Sequence, residues 1–158
     1  MRQFDDNYLE LAVSYINDGL LDEAEDVLLR FEGENPFFDY FLGYIQDEQG
    51  NSTKAKSYFN KASEHSVDYI FPYRMESAEV LQKALEYNPN DGKAFYYLGN
   101  IFYEKQPELA MNYWKQASEL APDLSIVFRN LGWGYHHYYN DKQKAISHYE
   151  KAVNLNRN

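Results

Sequence analysis

The residues that could do chemistry in this chain are four histidines and 25 Asp and Glu side chains. His136 and His137 are consecutive, and on a helix consecutive side chains point about 100° apart. The two cannot close on one metal ion without distortion. His65 and His148 fall on other segments, and no carboxylate recurs beside them at ligand spacing. Surface or groove histidines are therefore expected, with no metal and no catalytic dyad. Paired carboxylate catalysis needs two acids in one pocket. Glu23, Glu25 and Asp26 instead fall on the outward side of a helical pattern. The glycines of "LGNIFYEKQ" and "NLGWGY" lie inside helical stretches, unlike those of a phosphate-cradling loop, and no P-loop or dinucleotide fingerprint is present. The residues imply no enzyme and no cofactor.

The elements that position these residues repeat. Aligning "KAFYYLGNIFYEKQPELAMNYWKQASELAPD" with "SIVFRNLGWGYHHYYNDKQKAISHYEKAVNLN" on Leu98-Gly99 and Leu131-Gly132, 33 positions apart, matches Phe95 with Phe128 and Phe102 with Tyr135. With a short adjustment in the turn, Ala110, Trp114 and Ala117 match Ala145, Tyr149 and Ala152. The same skeleton stands upstream at Tyr8, Leu11-Ala12, Tyr15, Ala24, Leu28 and Phe31, and again at Leu42-Gly43, Ala55, Phe59 and Ala62. Phe95, Leu98 and Phe102 form one apolar stripe at helical spacing, and Ala110, Trp114 and Ala117 form a second. Small residues such as Gly99 and Ala110 let two antiparallel helices approach, and Trp114 fills the space beside them. The product is a helical hairpin, which must stack on its neighbour to bury its second face.

Nine helices are predicted, near 5–17, 21–33, 37–48, 52–64, 74–88, 92–104, 107–120, 124–138 and 142–155. Pro36, Pro89 and Pro122 are expected just past second helices. Four clean pairs need eight helices, so one is odd. Ala62 and Ala84 are separated by 22 residues, against 33 from Ala84 to Ala117 and 35 from Ala117 to Ala152. About three helical turns are missing. Helix 74–88 reads as a second helix whose first helix has been replaced by "VDYIFPYR". In that segment Tyr69, Ile70 and Phe71 read as an apolar plug, with Tyr69, Tyr73 and Arg74 as a second contact surface on its outer side. Pro72 suits the first turn of the helix that follows.

The skeleton of aromatic, Leu-Gly and Tyr on a first helix, then Ala, Phe, Ala and a closing Pro on a second, resembles the tetratricopeptide repeat over nearly the whole chain. That resemblance implies an all-α, right-handed superhelical α-solenoid of about four helix-turn-helix hairpins plus one shortened repeat around 66–89. The chain then reads as a single array over 1–158, divided near 5–36, 37–66, 67–89, 90–122 and 123–157. It also implies a concave groove, lined by first helices, that binds a partner protein or peptide. The groove positions are Tyr40, Tyr44, Lys93, Tyr96, Asn100, Arg129, Asn130, Trp133 and His137. Asn100 and Asn130, with Lys93 and Arg129 near, are similar to part of the clamp by which some family members hold a C-terminal carboxylate. Tyr96 stands where that clamp has a second lysine. The segment "DYIFPYR" is similar to one found in bacterial arrays that follow a sugar-handling domain. The alternative role is thus a structural part of a larger, carbohydrate-active protein that orients its neighbour.

Net charge of −10 with no basic stripe argues against nucleic acid. No run of 18 apolar residues argues against a membrane span. Zero cysteines exclude disulfides and lean toward a reducing cytoplasm while leaving the compartment open. The last helix, through Ala145, Tyr149 and Ala152, is expected to keep an apolar face for another repeat or for self-association.

Overall fold

The computed structural model describes residues 2–68, 70 and 75–157, the side chains of 2–5 excepted. Among the described residues every regular element is an α-helix: α1 (Arg2–Asn17), α2 (Leu21–Leu29), α3 (Pro36–Glu48), α4 (Ser52–Glu64), α5 (Glu76–Tyr87), α6 (Gly92–Phe102), α7 (Pro107–Leu120), α8 (Ser125–His137) and α9 (Lys142–Leu155). They fall into two compact units, one holding α1–α5 and the other α6–α9.

Local chemistry sets the helix ends. Asn35 accepts a hydrogen bond from the Phe37 N–H at 3.0 Å, and Pro36 takes the first helical position, where its missing N–H costs nothing. Pro36 therefore begins α3, and does not sit just past α2, which ends at Leu29. The helix expected over 21–33 stops at Leu29, because the chain must turn before that proline. Phe31, released from the helix, stacks on Phe38 of α3 with ring centroids 3.8 Å apart and meets Tyr8 of α1 edge-on. Asp91 caps α6 by accepting from the N–H groups of Lys93 and Ala94, and Asp141 caps α9 through Lys144. The turns α1–α2, α3–α4 and α8–α9 each carry one left-handed residue: Gly19 (φ 75°), Gly50 (φ 79°) and Asn140 (φ 51°). Glycine and asparagine tolerate that conformation.

Three hairpins, α3–α4, α6–α7 and α8–α9, close by the same device. In the first unit the Phe59 ring of α4 lies against Gly43 of α3, where an added Cβ would sit 2.6 Å from it. In the second unit Trp114 of α7 lies against Gly99 of α6, and Tyr149 of α9 lies 2.9 Å from the Cβ position of Gly132 in α8. Alanines complete the seams, with Ala55, Ala62, Ala110, Ala117, Ala145 and Ala152 all buried. A fully buried ring of this kind is worth about 3–5 kcal/mol relative to alanine.

The odd helix, α5, has no hairpin partner among the described residues. It packs on both α3 and α4, and more closely on α3. Tyr44 of α3 donates to Glu79 Oε1 of α5 at 3.2 Å, Tyr87 of α5 donates to Asp47, and Lys83 pairs with Asp47 at 3.4 Å. The α3–α4 hairpin carries its own buried charge: Asp39, 4% exposed, takes Lys61 Nζ at 2.9 Å and His65 Nε2 at 2.7 Å. An unpaired carboxylate there would be costly, and the Lys61 ammonium of α4 together with the His65 hydrogen bond offsets that. Ahead of α5, Val67 is buried and Ile70 half-buried. The proposed plug and surface residues Tyr69, Phe71, Tyr73 and Arg74 lie outside the described residues.

Candidate functional site

A cleft of about 750 Å³ opens in the α6–α9 unit. Its wall comes from four helices: Asn100 and Ile101 on α6, Trp114 on α7, Arg129, Asn130 and Trp133 on α8, and Tyr149 on α9, with Tyr103 and Glu104 just past α6. The packing device explains how second-helix residues reach it. Because Gly99 and Gly132 have no side chains, Trp114 and Tyr149 slide across the first helices and present an edge on the far side.

One carboxamide sets the register. Asn100 Oδ1 accepts from Trp114 Nε1 at 3.1 Å and from Asn130 Nδ2 at 2.8 Å. Asn130 Oδ1 in turn accepts from the Arg129 guanidinium at 3.3 Å. One turn further along, Tyr103 meets Trp133 edge-on, with centroids 5.7 Å apart. α6 and α8 thus run side by side in parallel register, with Asn100 beside Asn130 and Tyr103 beside Trp133. Since Asn100 receives both bonds on its oxygen, its two amide N–H donors have no partner among the described residues.

Three rings hold Trp133 in place. His137 stacks on it at 4.4 Å, while Tyr103 and Tyr138 meet it edge-on. The His137 Nδ1 lies 2.9 Å from the Trp133 carbonyl oxygen, and since a carbonyl only accepts, that nitrogen carries the proton. Tyr138 donates to the Tyr103 carbonyl and ties the end of α8 to the end of α6. Glu104 Oε1 accepts from the Tyr103 hydroxyl at 3.0 Å. That bond raises the Tyr103 phenol above its usual range, and burial does the same for Tyr138, with Glu104 adding to both.

Of the residues expected to line a groove, the structure brings Tyr96, Asn100, Arg129, Asn130 and Trp133 to this cleft, with His137 braced behind Trp133. Tyr96 is only 2% exposed, so it acts as wall more than as contact. Lys93 lies about two turns before Asn100 on α6 and does not line the cleft, which leaves the carboxylate clamp incomplete. In the other unit two expectations need correction. Tyr40 is fully buried, packing on Phe37 at 5.8 Å, and so faces no groove. Tyr44, one turn later on the same face, has its hydroxyl on Glu79, and burial with the neighbouring carboxylates Glu79 and Glu48 pushes it up to about 12. α5 covers the face of α3 that the helical spacing assigned to a partner.

Tyr103, Ile101 and the cleft role of Trp114 and Tyr149 were not anticipated. Trp114 and Tyr149 were legible only as core stripe, and Tyr103 sits past the last regular turn of α6. The last helix also differs from expectation. Ala145 and Ala152 are buried, Tyr149 is half-buried against Gly132, and the apolar residues left exposed on α9 are Ile146 and Val153.

No group of three or more histidine, aspartate or glutamate side chains stands close enough to hold a metal ion among the described residues, and no described helix is long and apolar enough to cross a membrane.

Fold and cleft together define the class: an all-α protein of stacked helical hairpins, with an aromatic cleft between consecutive first helices. Residues 40–64 match the family model for the tetratricopeptide repeat. Among solved structures, one of MamA aligns over 96% of this chain and 78% of its own at 17% identity, with a TM-score of 0.51, a likeness of fold alone. MamA from Desulfovibrio magneticus RS-1 aligns over 96% of this chain and 94% of its own (22% identity, TM-score 0.48). YrrB, a TPR protein with an unusual peptide-binding site, aligns over 96% and 86% (20% identity, TM-score 0.46). No curated protein matches the chain in sequence.

Proposed function

We propose that the chain is a protein-interaction scaffold that takes a partner peptide into the α6–α9 cleft and does no chemistry of its own. The repeat division near 5–36, 37–66, 67–89, 90–122 and 123–157 belongs to the same reading. Tetratricopeptide folds generally serve as non-catalytic scaffolds. The observation that carries the proposal is the Asn100 carboxamide. Its oxygen is spent on Trp114 and Asn130, so two N–H donors remain at the waist of a cleft walled by aromatic rings. An extended segment offers carbonyl oxygens at the spacing such donors need, and the rings supply contact area at low entropic cost. Arg129, exposed and bonded only to Asn130 among the described residues, adds a charged donor at one end.

The test is peptide selection by phage display against the full chain, followed by titration of the selected peptides against Asn100→Ala combined with Trp133→Ala. Loss of at least about tenfold in affinity, with helical content retained, supports the cleft as the binding site. Undiminished binding by the double variant contradicts it.

A further inference from the structure

The cleft is electrically lopsided along its length, and the register places each charge. Arg129 adjoins Asn130 on one side of the Asn100–Asn130 bond, while Glu104 lies one turn beyond Asn100 on the other, next to the Tyr103–Trp133 contact. Among the described residues no cation forms an ion pair with Glu104, whose recorded partner is the Tyr103 hydroxyl. The carboxylate therefore projects its charge into a part of the cleft whose walls are rings. Tyr103 lies 6.3 Å from Trp114 and 5.7 Å from Trp133 by centroid, so three rings from three successive elements converge there. Ring faces carry negative electrostatic potential and attract cations, the more so when a carboxylate stands beside them and water is displaced.

We infer that the Glu104 end of the cleft is a pocket for a basic side chain of the partner segment, arginine or lysine, held against the Tyr103 and Trp133 rings and the Glu104 carboxylate, with the buried Trp114 as the wall behind them. This rests on the peptide-binding reading of the same cleft and adds the charge and direction of the peptide. Arginine suits the pocket better than lysine, because a planar guanidinium can stack on a ring and bond a carboxylate at once. The bracing of Trp133 by His137, Tyr103 and Tyr138 means that the wall is in place before the ligand arrives, which removes an ordering cost. The chain's net charge of −10 draws a basic segment toward the protein from a distance. At the opposite end Arg129 repels such a side chain, so the two ends fix which way the segment lies.

The experiment uses four small probes on the full chain: N-acetyl-arginine amide, N-acetyl-lysine amide, N-acetyl-norleucine amide and N-acetyl-glutamate amide. The chain has two tryptophans, and both line the cleft, so indole fluorescence reads the site directly. The arginine probe should perturb the emission saturably and bind about fivefold tighter than norleucine, with lysine between them and glutamate weakest. Glu104→Gln should remove most of the arginine preference while leaving norleucine unchanged. Equal binding of arginine and norleucine, preference for glutamate, no response to any probe, or an arginine preference that survives Glu104→Gln would each overturn the inference. Failure of the peptide-binding reading looks different: peptides selected against the full chain would bind without involving Asn100 or Trp133 at all.

Discussion

Asn130 Nδ2 donates to Asn100 Oδ1 across 2.8 Å, and the same oxygen takes the Trp114 Nε1 proton at 3.1 Å, so one carboxamide joins α6, α7 and α8. The cleft depends on that junction, because it holds the two first helices in register and fixes the edge of Trp114.

Replacing Asn100 by leucine keeps the bulk and removes the shared acceptor. Two donors then lose their partner in a half-buried site, at a cost of about 1–3 kcal/mol. Urea unfolding followed by tryptophan emission measures it, and the indole of Trp114 should report a changed environment even in the folded state. An unchanged midpoint together with an unchanged emission maximum would mean that the junction does not hold the helices together.

Glycine at position 99 is needed for space. A Cβ there would fall within the Trp114 indole, and because a ring seated between two helices cannot swing away, Gly99→Ala should destabilise the α6–α9 unit by about 1–3 kcal/mol. Gly19→Ala meets nothing within 4 Å, and its cost, about 1 kcal/mol, arises from the left-handed backbone alone. Gly99→Ala should also weaken selected peptides, whereas Gly19→Ala should leave their affinity unchanged.

His148 supplies a pH dependence whose sign follows from its surroundings. It lies between α8 rings, nearly parallel to Tyr135 (5.2 Å) and Phe128 (6.2 Å), and Lys144 and Lys151 stand over those same rings. Burial, then Lys151, then Lys144 push the imidazole below its usual 6.5. The unfolded chain therefore takes up this proton first as the medium is acidified. Its contribution to stability is complete above about 6.5 and is lost as pH falls through the lower folded value. Denaturant midpoints measured from pH 7.5 to 5 should fall more for the wild type than for His148→Gln. Parallel pH curves for the two proteins would contradict the assignment.

The hairpin seams were legible because they depend on near neighbours. Gly43 with Phe59, Gly99 with Trp114 and Gly132 with Tyr149 recur at spacings that follow from helix geometry, and the structure keeps all three. Tyr40 and Tyr44 were misread for the opposite reason. Which face of α3 meets solvent depends on where α5 lies, and nothing within α3 records that. Part of the aromatic end of the cleft was hidden as well. Tyr103 lies past the last regular turn of α6 and gains its place only through Trp133 and the Tyr138 hydroxyl on its carbonyl. Trp114 and Tyr149 were read correctly as packing residues, but the sequence pattern does not show that a large ring crossing a glycine presents its far edge to a cleft.

The central claim, that a partner segment occupies the α6–α9 cleft, is tested most directly by the two indole N–H resonances of the nitrogen-15-labelled full chain. Both tryptophans line the cleft, and the Trp114 Nε1–H is bonded to Asn100. On titration with a selected peptide both resonances should shift together and saturate with the binding curve, and the Trp114 signal should lose its response in Asn100→Ala. A peptide that binds, shifting resonances elsewhere, while both indole signals stay fixed would contradict the account.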